Sequence, residues 1–255
     1  MSKNKKVCIH GVILVLVIVG ILTIVASAIF VSSFLAILGT SCIFWCGVLF
    51  FITPERHVPL PLINASTAAG ANNIERILTE ENFNQKGIYL PPKCLKDSES
   101  SLVFVPKFSG QELPLPEEIE VSGLFNSKQN LFLTPPGGAL LRIFEKHMGY
   151  SFIKVDLSKL QSVLLKVMIE DMRLADDVVV TVGVDTVVLE VKNSIFVDDC
   201  QRSRAEFPCA HGVVSSLLSS CFACVLAKVT GRGIVVLDEV VSGGVLRLEY
   251  QMVGA

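Results

Sequence analysis

A run of 46 residues without one Asp, Glu, Lys or Arg, from Val7 to Ile52, constrains this 255-residue chain more than any other feature. As a single helix it is about 69 Å long, against a bilayer hydrocarbon core of about 30 Å. The run therefore predicts two transmembrane helices, at about 8–28 and 34–52, with a turn near Ser27 to Ser33. Pro54 closes the second helix, because the residue before a proline disfavours helical backbone.

The basic residues around this run predict its orientation. Lys3, Lys5 and Lys6 precede it, and Arg56 follows it. Basic residues favour the cytoplasmic side, so the N-terminus and the C-terminal domain are both expected in the cytoplasm, on a multi-pass protein of the cell membrane. A cleavable signal peptide is the alternative, but its apolar region is usually only about 7–15 residues long. If a single helix crosses, the domain lies outside the cell.

The remaining residues have the composition of a folded soluble domain. All 24 acidic side chains of the chain lie there with 19 of its 22 basic ones, which gives this part a net charge of −5. That balance argues against nucleic acid as a partner, because nucleic-acid-binding surfaces are basic. We therefore divide the chain into a membrane anchor, 1–54, and a soluble domain, 55–255, in which a further boundary near residue 150 stays open.

Hydrophobic patterns in the domain predict both helices and strands. Helices are predicted at Ala65–Phe83, at Thr134–Met148 with Thr134 as the N-cap, at Asp156–Ala175 and at Val213–Thr230. Strands are predicted at Ile88–Leu90, Leu102–Val105, Leu131–Leu133, Val178–Val182, Thr186–Val191, Ile234–Val240 and Val245–Met252. Short turns join the last two pairs of strands, so the expected fold class is α+β, with a largely antiparallel sheet and packed helices behind the transmembrane hairpin.

Four cysteines and a histidine in the C-terminal part are the candidates for a metal or redox site. They are Cys200, Cys209, His211, Cys221 and Cys224. Thiolate and imidazole ligands suit zinc or an iron–sulfur cluster. However, only Cys221 and Cys224 form a C-x-x-C pair, and they fall inside a predicted apolar helix, where burial is the ordinary role of cysteine. Structural burial is the preferred interpretation, with a metal site or a regulatory disulfide as alternatives.

No catalytic residue and no cofactor are predicted. The serines near Ser216 lack the G-x-S-x-G pattern of a nucleophile elbow. Asp176–Asp177 and Asp198–Asp199 are interpreted as solvated strand ends, and His211 as a loop or N-cap residue. Thr134–Gly138 opens a predicted helix, whose free N–H groups are able to hold an anion, but the chain has no P-loop pattern.

Three segments and the apolar N-terminal hairpin resemble a family of uncharacterised archaeal membrane proteins. The segments are Ile88–Pro92, Leu131–Gly137 and Ala223–Arg232. The resemblance implies an archaeal origin and no known activity. Residues 160–252 are also similar, in the order of their elements, to the vinyl-reductase-type small-molecule-binding domain, with Pro208–Cys209 before a helix of small residues. The final hairpin lacks the cysteines common in that domain, so no ligand or metal residue carries over.

These observations favour a membrane-anchored cytoplasmic domain that binds a small apolar ligand or a partner protein and catalyses nothing. The physical reason is the surplus of Val, Leu and Ile beside the nearly uncharged helix Val213–Thr230, which could enclose an apolar pocket. A structural or assembly subunit of a membrane complex is one alternative. A metal or redox protein that uses the four C-terminal cysteines is the other.

Overall fold

A computed structural model describes residues 3–30, 32–52, 60–95, 101–108, 110, 113, 114, 125 and 130–254. The chain divides into two compact units, Met1–Ile63 and Asn64–Ala255. Pro54 and Arg56, on which the end and the orientation of the second helix were argued, lie outside the described residues.

The first unit contains two packed helices, α1 (Lys3–Phe30) and α2 (Ser33–Ile52). They cross where a glycine of each helix meets the other: a Cβ atom on Gly39 would lie 2.6 Å from Cγ1 of Ile24 and 3.0 Å from the carbonyl oxygen of Gly20. Only glycine permits so close an approach of two backbones. The two helices therefore form an antiparallel hairpin that is packed through its smallest residues.

Among the helices described, only the stretch Pro208–Thr230 is long and apolar enough to cross a membrane, and 83% of its apolar window is buried inside the protein. Such burial is that of a core helix. The hairpin helices contribute two shorter apolar segments, Val15–Phe30 in α1 and Ser33–Val48 in α2. Each is shorter than 18 residues.

The second unit is built on one antiparallel sheet. Within the described residues its seven strands lie in the order β3-β2-β1-β6-β7-β5-β4. Their bounds are β1 Ile88–Tyr89, β2 Val103–Val105, β3 Leu131–Leu133, β4 Asp177–Val182, β5 Thr186–Lys192, β6 Gly233–Ser242 and β7 Val245–Val253. Each strand lies where the alternating or short apolar patterns predict one, and the predicted α+β class with an antiparallel sheet is confirmed.

The α-helices described after the hairpin have the bounds α3 Leu60–Glu80, α4 Gly138–Met148, α5 Leu160–Leu165, α6 Val197–Glu206, α7 Pro208–Val214 and α8 Leu217–Thr230. Among these, α8 lies in the core and contacts both α4 and α6. Every residue of α8 from Leu218 to Lys228 is buried, because the helix contacts β1 and β6 as well as α4. The nearly uncharged composition of this segment is therefore that of a helix inside the core.

The predicted single helix Val213–Thr230 is wrong, because the chain breaks it at Ser215 and Ser216, between α7 and α8. Helical periodicity continues through this point, so the sequence pattern alone does not mark the break. His211, expected in a loop or at an N-cap, lies within α7 and is buried.

The predicted helix Asp156–Ala175 is also wrong in form. A 3-10 turn, Leu157–Lys159, precedes α5, and a π-helical turn, Lys166–Asp171, follows it. In the π-helical turn hydrogen bonds join residues five apart, as from the N–H of Met172 to the carbonyl of Val167 at 3.1 Å. The apolar stripe of the sequence is compatible with both kinds of helix and so did not reveal the change.

Two further predictions, an N-cap at Thr134 and a strand end at Asp198–Asp199, are corrected as well. Thr134 is not an N-cap: α4 begins at Gly138 and its N-cap is Gly137, although Gly149 ends the helix as expected, with φ +75°. Asp198 and Asp199 do not end a strand but lie in the first turn of α6, a helix that was not predicted. Acidic side chains are favourable there, because the helix dipole is positive at its N-terminus.

Candidate functional site

A β-bulge in β6 turns a carboxylate into the core. Ile234 and Val236 face the core before the bulge, and the pairing with β7 then skips Leu237. One extra residue reverses the side-chain alternation of a strand, so that Glu239 points inward after it. The side chain of Glu239 is only 3% exposed.

Three polar groups of the neighbouring helices surround this carboxylate. The N–H of Ser216 donates to Oε2 of Glu239 at 3.3 Å, and the hydroxyl of the same serine donates to Oε1. The thiol of Cys200, on α6, also hydrogen-bonds to Glu239. Glu239 therefore caps the N-terminus of α8 from the sheet, where a negative charge is stabilised by the helix dipole.

His211 lies beside this carboxylate in its neutral form. Its Nε2 atom is 3.9 Å from Oε2 of Glu239 and accepts a hydrogen bond from Nε of Arg204 at 3.4 Å. Burial lowers the pKa of His211, an effect that Glu239 opposes and Arg204 reinforces. Because Nε2 accepts, the proton lies on Nδ1, a buried atom that has no hydrogen-bond partner among the described residues.

The junction between α7 and α8 is strained. Ser215 has φ 60° and ψ −176°, a backbone conformation that is otherwise almost confined to glycine and costs about 1–3 kcal/mol. The hydroxyl of Tyr89 donates to the carbonyl of Val214 on one side of this residue, and Glu239 holds Ser216 on the other. Hydrogen bonds from two strands thus impose the conformation.

The five residues considered for metal binding do not come together. Cys200 and His211 both lie beside Glu239, whereas Cys209 lies in the first turn of α7, where its N–H donates to Oε1 of Glu75 at 3.1 Å. Cys221 and Cys224 are buried on α8. Within the described part of the chain, no group of three or more His, Cys, Asp or Glu residues is arranged to hold a metal ion.

The cysteine thiols of the core are held in their protonated form. Burial is the largest cause that raises the pKa of Cys200, Cys221 and Cys224, the last to about 12. The thiolate is the form that attacks electrophiles and binds metals. These cysteines are free, buried and protonated, so they pack as small apolar side chains.

The loop considered for anion binding is already occupied by the protein. The N–H of Gly137 donates to Oγ of Ser220 at 3.1 Å. A Cβ atom on Gly137 would lie 2.0 Å from the backbone nitrogen of Cys221, so this loop lies directly against α8. The glycine is required by this contact, and its N–H group is not directed at a ligand.

A pocket open to solvent lies between the end of α4 and the π-helical turn. It encloses about 310 Å³, near the lower end of the roughly 300–1,000 Å³ of small-molecule sites. Its apolar lining consists of Met148, Val163 and Val167. Its polar lining consists of His147, Tyr150, Ser162, Lys166 and Asp171.

Most polar groups in this pocket have no partner within the protein. The hydroxyl of Ser162 donates to the carbonyl of Lys159 at 2.8 Å. Among the described residues, the side chains of His147, Tyr150, Lys166 and Asp171 make no hydrogen bond or ion pair. The π-helical turn contributes both Lys166 and Asp171, and such turns often occur at functional sites.

Comparison with known proteins identifies the family. The model of a domain of unknown function, DUF7982, matches residues 2–233. The chain belongs to this family. No curated protein and no solved structure matches the chain. In this DUF7982 protein every residue that lines the pocket lies inside the matched part, whereas Glu239 lies beyond its end. The archaeal origin and the vinyl-reductase resemblance stay predictions.

Neither the buried Glu239 nor the pocket at the π-helical turn of this DUF7982 protein was predicted from the sequence. Glu239 has a weak signal in the sequence, because Asp238 and Glu239 interrupt an apolar strand, and a bulge is one cause of a broken side-chain alternation. The pocket has none, since the change from α-helix to π-helix at Lys166 leaves the apolar stripe intact.

Proposed function

We propose that this chain is a membrane-anchored ligand-binding module without catalytic activity. In this proposal α1 and α2 anchor the chain, the domain 55–255 lies in the cytoplasm, and its ligand occupies the pocket at the π-helical turn. One observation carries the proposal: four polar side chains without a protein partner line an open pocket together with Met148, Val163 and Val167. In small-molecule sites a few polar groups orient the ligand against an apolar lining.

The location of the reactive side chains supports binding without catalysis. Cys200 and Glu239 are 2% and 3% exposed, and His211 is 9% exposed. A nucleophile or general base has to reach its substrate within hydrogen-bond distance. These three residues stabilise the junction of α7 and α8 instead, and none of them lines the open pocket.

The sequence predicts a ligand pocket beside the nearly uncharged helix. This proposal places the ligand in the pocket at the π-helical turn instead. The apolar surplus of α8 is accounted for by its burial among β1, β6 and α4. The pocket at the π-helical turn is amphipathic instead, because apolar and charged side chains both line it.

The outward faces of α1 and α2 support the membrane anchor. Large apolar side chains along both helices are exposed in the isolated hairpin; the most exposed are Leu22, Ile29, Phe30, Phe34, Ile37 and Phe44, at 62–74%. Soluble proteins rarely expose so continuous an apolar surface, whereas a bilayer covers it at no cost. The three lysines of the first six residues favour a cytoplasmic N-terminus.

A thermal-unfolding screen of the full chain in detergent micelles tests the binding function. A library of polar and amphipathic metabolites is compared on the wild type and on Ser162→Trp, which places an indole in the pocket from an exposed position. Ser158→Trp is the matched control, because Ser158 is exposed in the preceding turn and does not line the pocket.

The proposal predicts compounds that raise the unfolding temperature of the wild type and of Ser158→Trp but not of Ser162→Trp. A library without any such compound contradicts it. The anchor is tested separately, with a protease acting on a C-terminal tag in intact and in lysed cells. Protection in intact cells is expected, and digestion there contradicts the cytoplasmic location.

A further inference from the structure

We propose that the pocket at the π-helical turn binds a small zwitterion with an apolar side chain, the chemistry of an apolar α-amino acid. This inference rests on the proposed binding function and adds the class of the ligand. It follows from the signs of the two charges in the lining, the apolar residues beside them and the volume of the pocket.

The pocket lining includes one positive and one negative side chain that form no ion pair with each other. Lys166 and Asp171 are the first and last residues of the π-helical turn, five positions apart. Since hydrogen bonds in a π-helix join residues five apart, these two side chains leave the same side of the turn. Both line the pocket, both are exposed, and among the described residues neither forms an ion pair.

Two unpaired charges of opposite sign select for a ligand that carries both. A carboxylate of the ligand is attracted to the ammonium group of Lys166, and an ammonium group of the ligand to the carboxylate of Asp171. A ligand with one charge pairs with one of these residues and faces the other with a like charge, which is unfavourable. A phosphate ester meets the same objection, because Asp171 repels it.

The rest of the pocket fits the remainder of such a molecule. Met148, Val163 and Val167 give the pocket an apolar lining suited to an aliphatic or aromatic side chain. The thioether of methionine adapts to side chains of different shape. The volume of about 310 Å³ limits the ligand to a small molecule. His147 and the hydroxyl of Tyr150 add hydrogen-bonding groups to the lining.

The test is calorimetric titration of the full chain in micelles with leucine, methionine and phenylalanine. The tightest binder is then compared with its N-acetyl form, which keeps only the negative charge, and with its amide, which keeps only the positive one. The proteins are the wild type, Lys166→Gln and Asp171→Asn. Lys154→Gln and Glu170→Gln are the controls, because both residues are exposed near the pocket and neither lines it.

The proposal predicts that the free amino acid binds at least about tenfold more tightly than either derivative, the effect of one charged hydrogen bond. Lys166→Gln weakens binding of the free amino acid about tenfold and strengthens binding of the amide, because the like charge that faced its ammonium group is gone. Asp171→Asn weakens binding of the free amino acid about as much and strengthens binding of the N-acetyl form for the same reason. The control variants bind like the wild type.

Equal affinity for the amino acid and its single-charge forms overturns the zwitterion. A second result also overturns it: none of the three amino acids binds, although other compounds of the screen stabilise the wild type and not Ser162→Trp. In that case the binding function stands, with a ligand of another class. If no compound of either experiment acts through the pocket, both proposals fail.

Discussion

Glu239 and Ser216 are joined by two hydrogen bonds, one from the backbone N–H and one from the hydroxyl of the serine to the two carboxylate oxygens. The pair connects the bulged strand β6 to the N-terminus of α8 and holds the strained residue between α7 and α8. A carboxylate so placed stabilises the domain by satisfying buried donors, each of which costs about 1–3 kcal/mol when it is left without an acceptor.

Glu239→Ala is therefore expected to destabilise the domain by about 3 kcal/mol, and Glu239→Gln by less, because the amide keeps one acceptor oxygen. Chemical denaturation of the full chain in micelles measures both changes. Glu206→Ala, at an exposed position at the end of α6, is the control and should leave stability unchanged. A loss of less than about 1 kcal/mol in Glu239→Ala contradicts the role of the carboxylate.

The neutral state of His211 predicts a dependence of stability on pH. Burial is the main cause that holds the pKa of folded His211 below its ordinary value of 6.5. As the pH falls below about 6.5, the unfolded chain takes up a proton that the folded chain resists, so stability falls. The wild type should therefore lose stability more steeply than His211→Gln between about pH 7 and pH 5.5. Parallel curves for the two proteins would show that His211 is not buried in its neutral form.

The close contact of Gly137 with α8 predicts a strong effect of one methyl group. In Gly137→Ala the new Cβ meets the backbone of Cys221 at 2.0 Å, and a backbone is unable to move aside as a side chain does. We expect a loss of about 3 kcal/mol, the upper end of overpacking effects. Gly212→Ala is the matched control in α7, where a Cβ has no neighbour within 4 Å, and should be neutral or slightly stabilising. Equal stability of both variants contradicts the packing described.

The burial of the thiols predicts the order in which they react. A maleimide at neutral pH should modify the half-buried Cys209 in the native domain and leave Cys200, Cys221 and Cys224 unmodified until the chain unfolds. Mass spectrometry of proteolytic fragments measures the modification at each site. Native labelling of Cys221 as fast as that of Cys209 is incompatible with a packed α8.

The sheet could be predicted from the sequence because its signals are local. In β7 the buried residues Leu246, Leu248 and Tyr250 alternate with Arg247 and Glu249, and in β4 and β5 the turn at Gly183 separates two runs rich in valine. A period of two fixes both the element and its buried face.

The junction of α7 and α8 and the pocket could not be predicted, since neither depends on local pattern alone. The conformation of Ser215 is imposed by Tyr89 and Glu239, which are distant in sequence, and the small apolar residues on both sides continue a helical pattern. The pocket arises where the turn Lys166–Asp171 widens, and the stripe that includes Leu164, Val167 and Met168 is compatible with either helix.

Native mass spectrometry of the full chain, released gently from micelles, tests the central claim most directly. The account predicts that the wild type and Ser158→Trp carry a bound small molecule of one defined mass when they are purified with, or incubated in, a metabolite extract, and that Ser162→Trp carries none. Identical spectra of the wild type and Ser162→Trp, whether both free or both loaded, would contradict a ligand site at the π-helical turn.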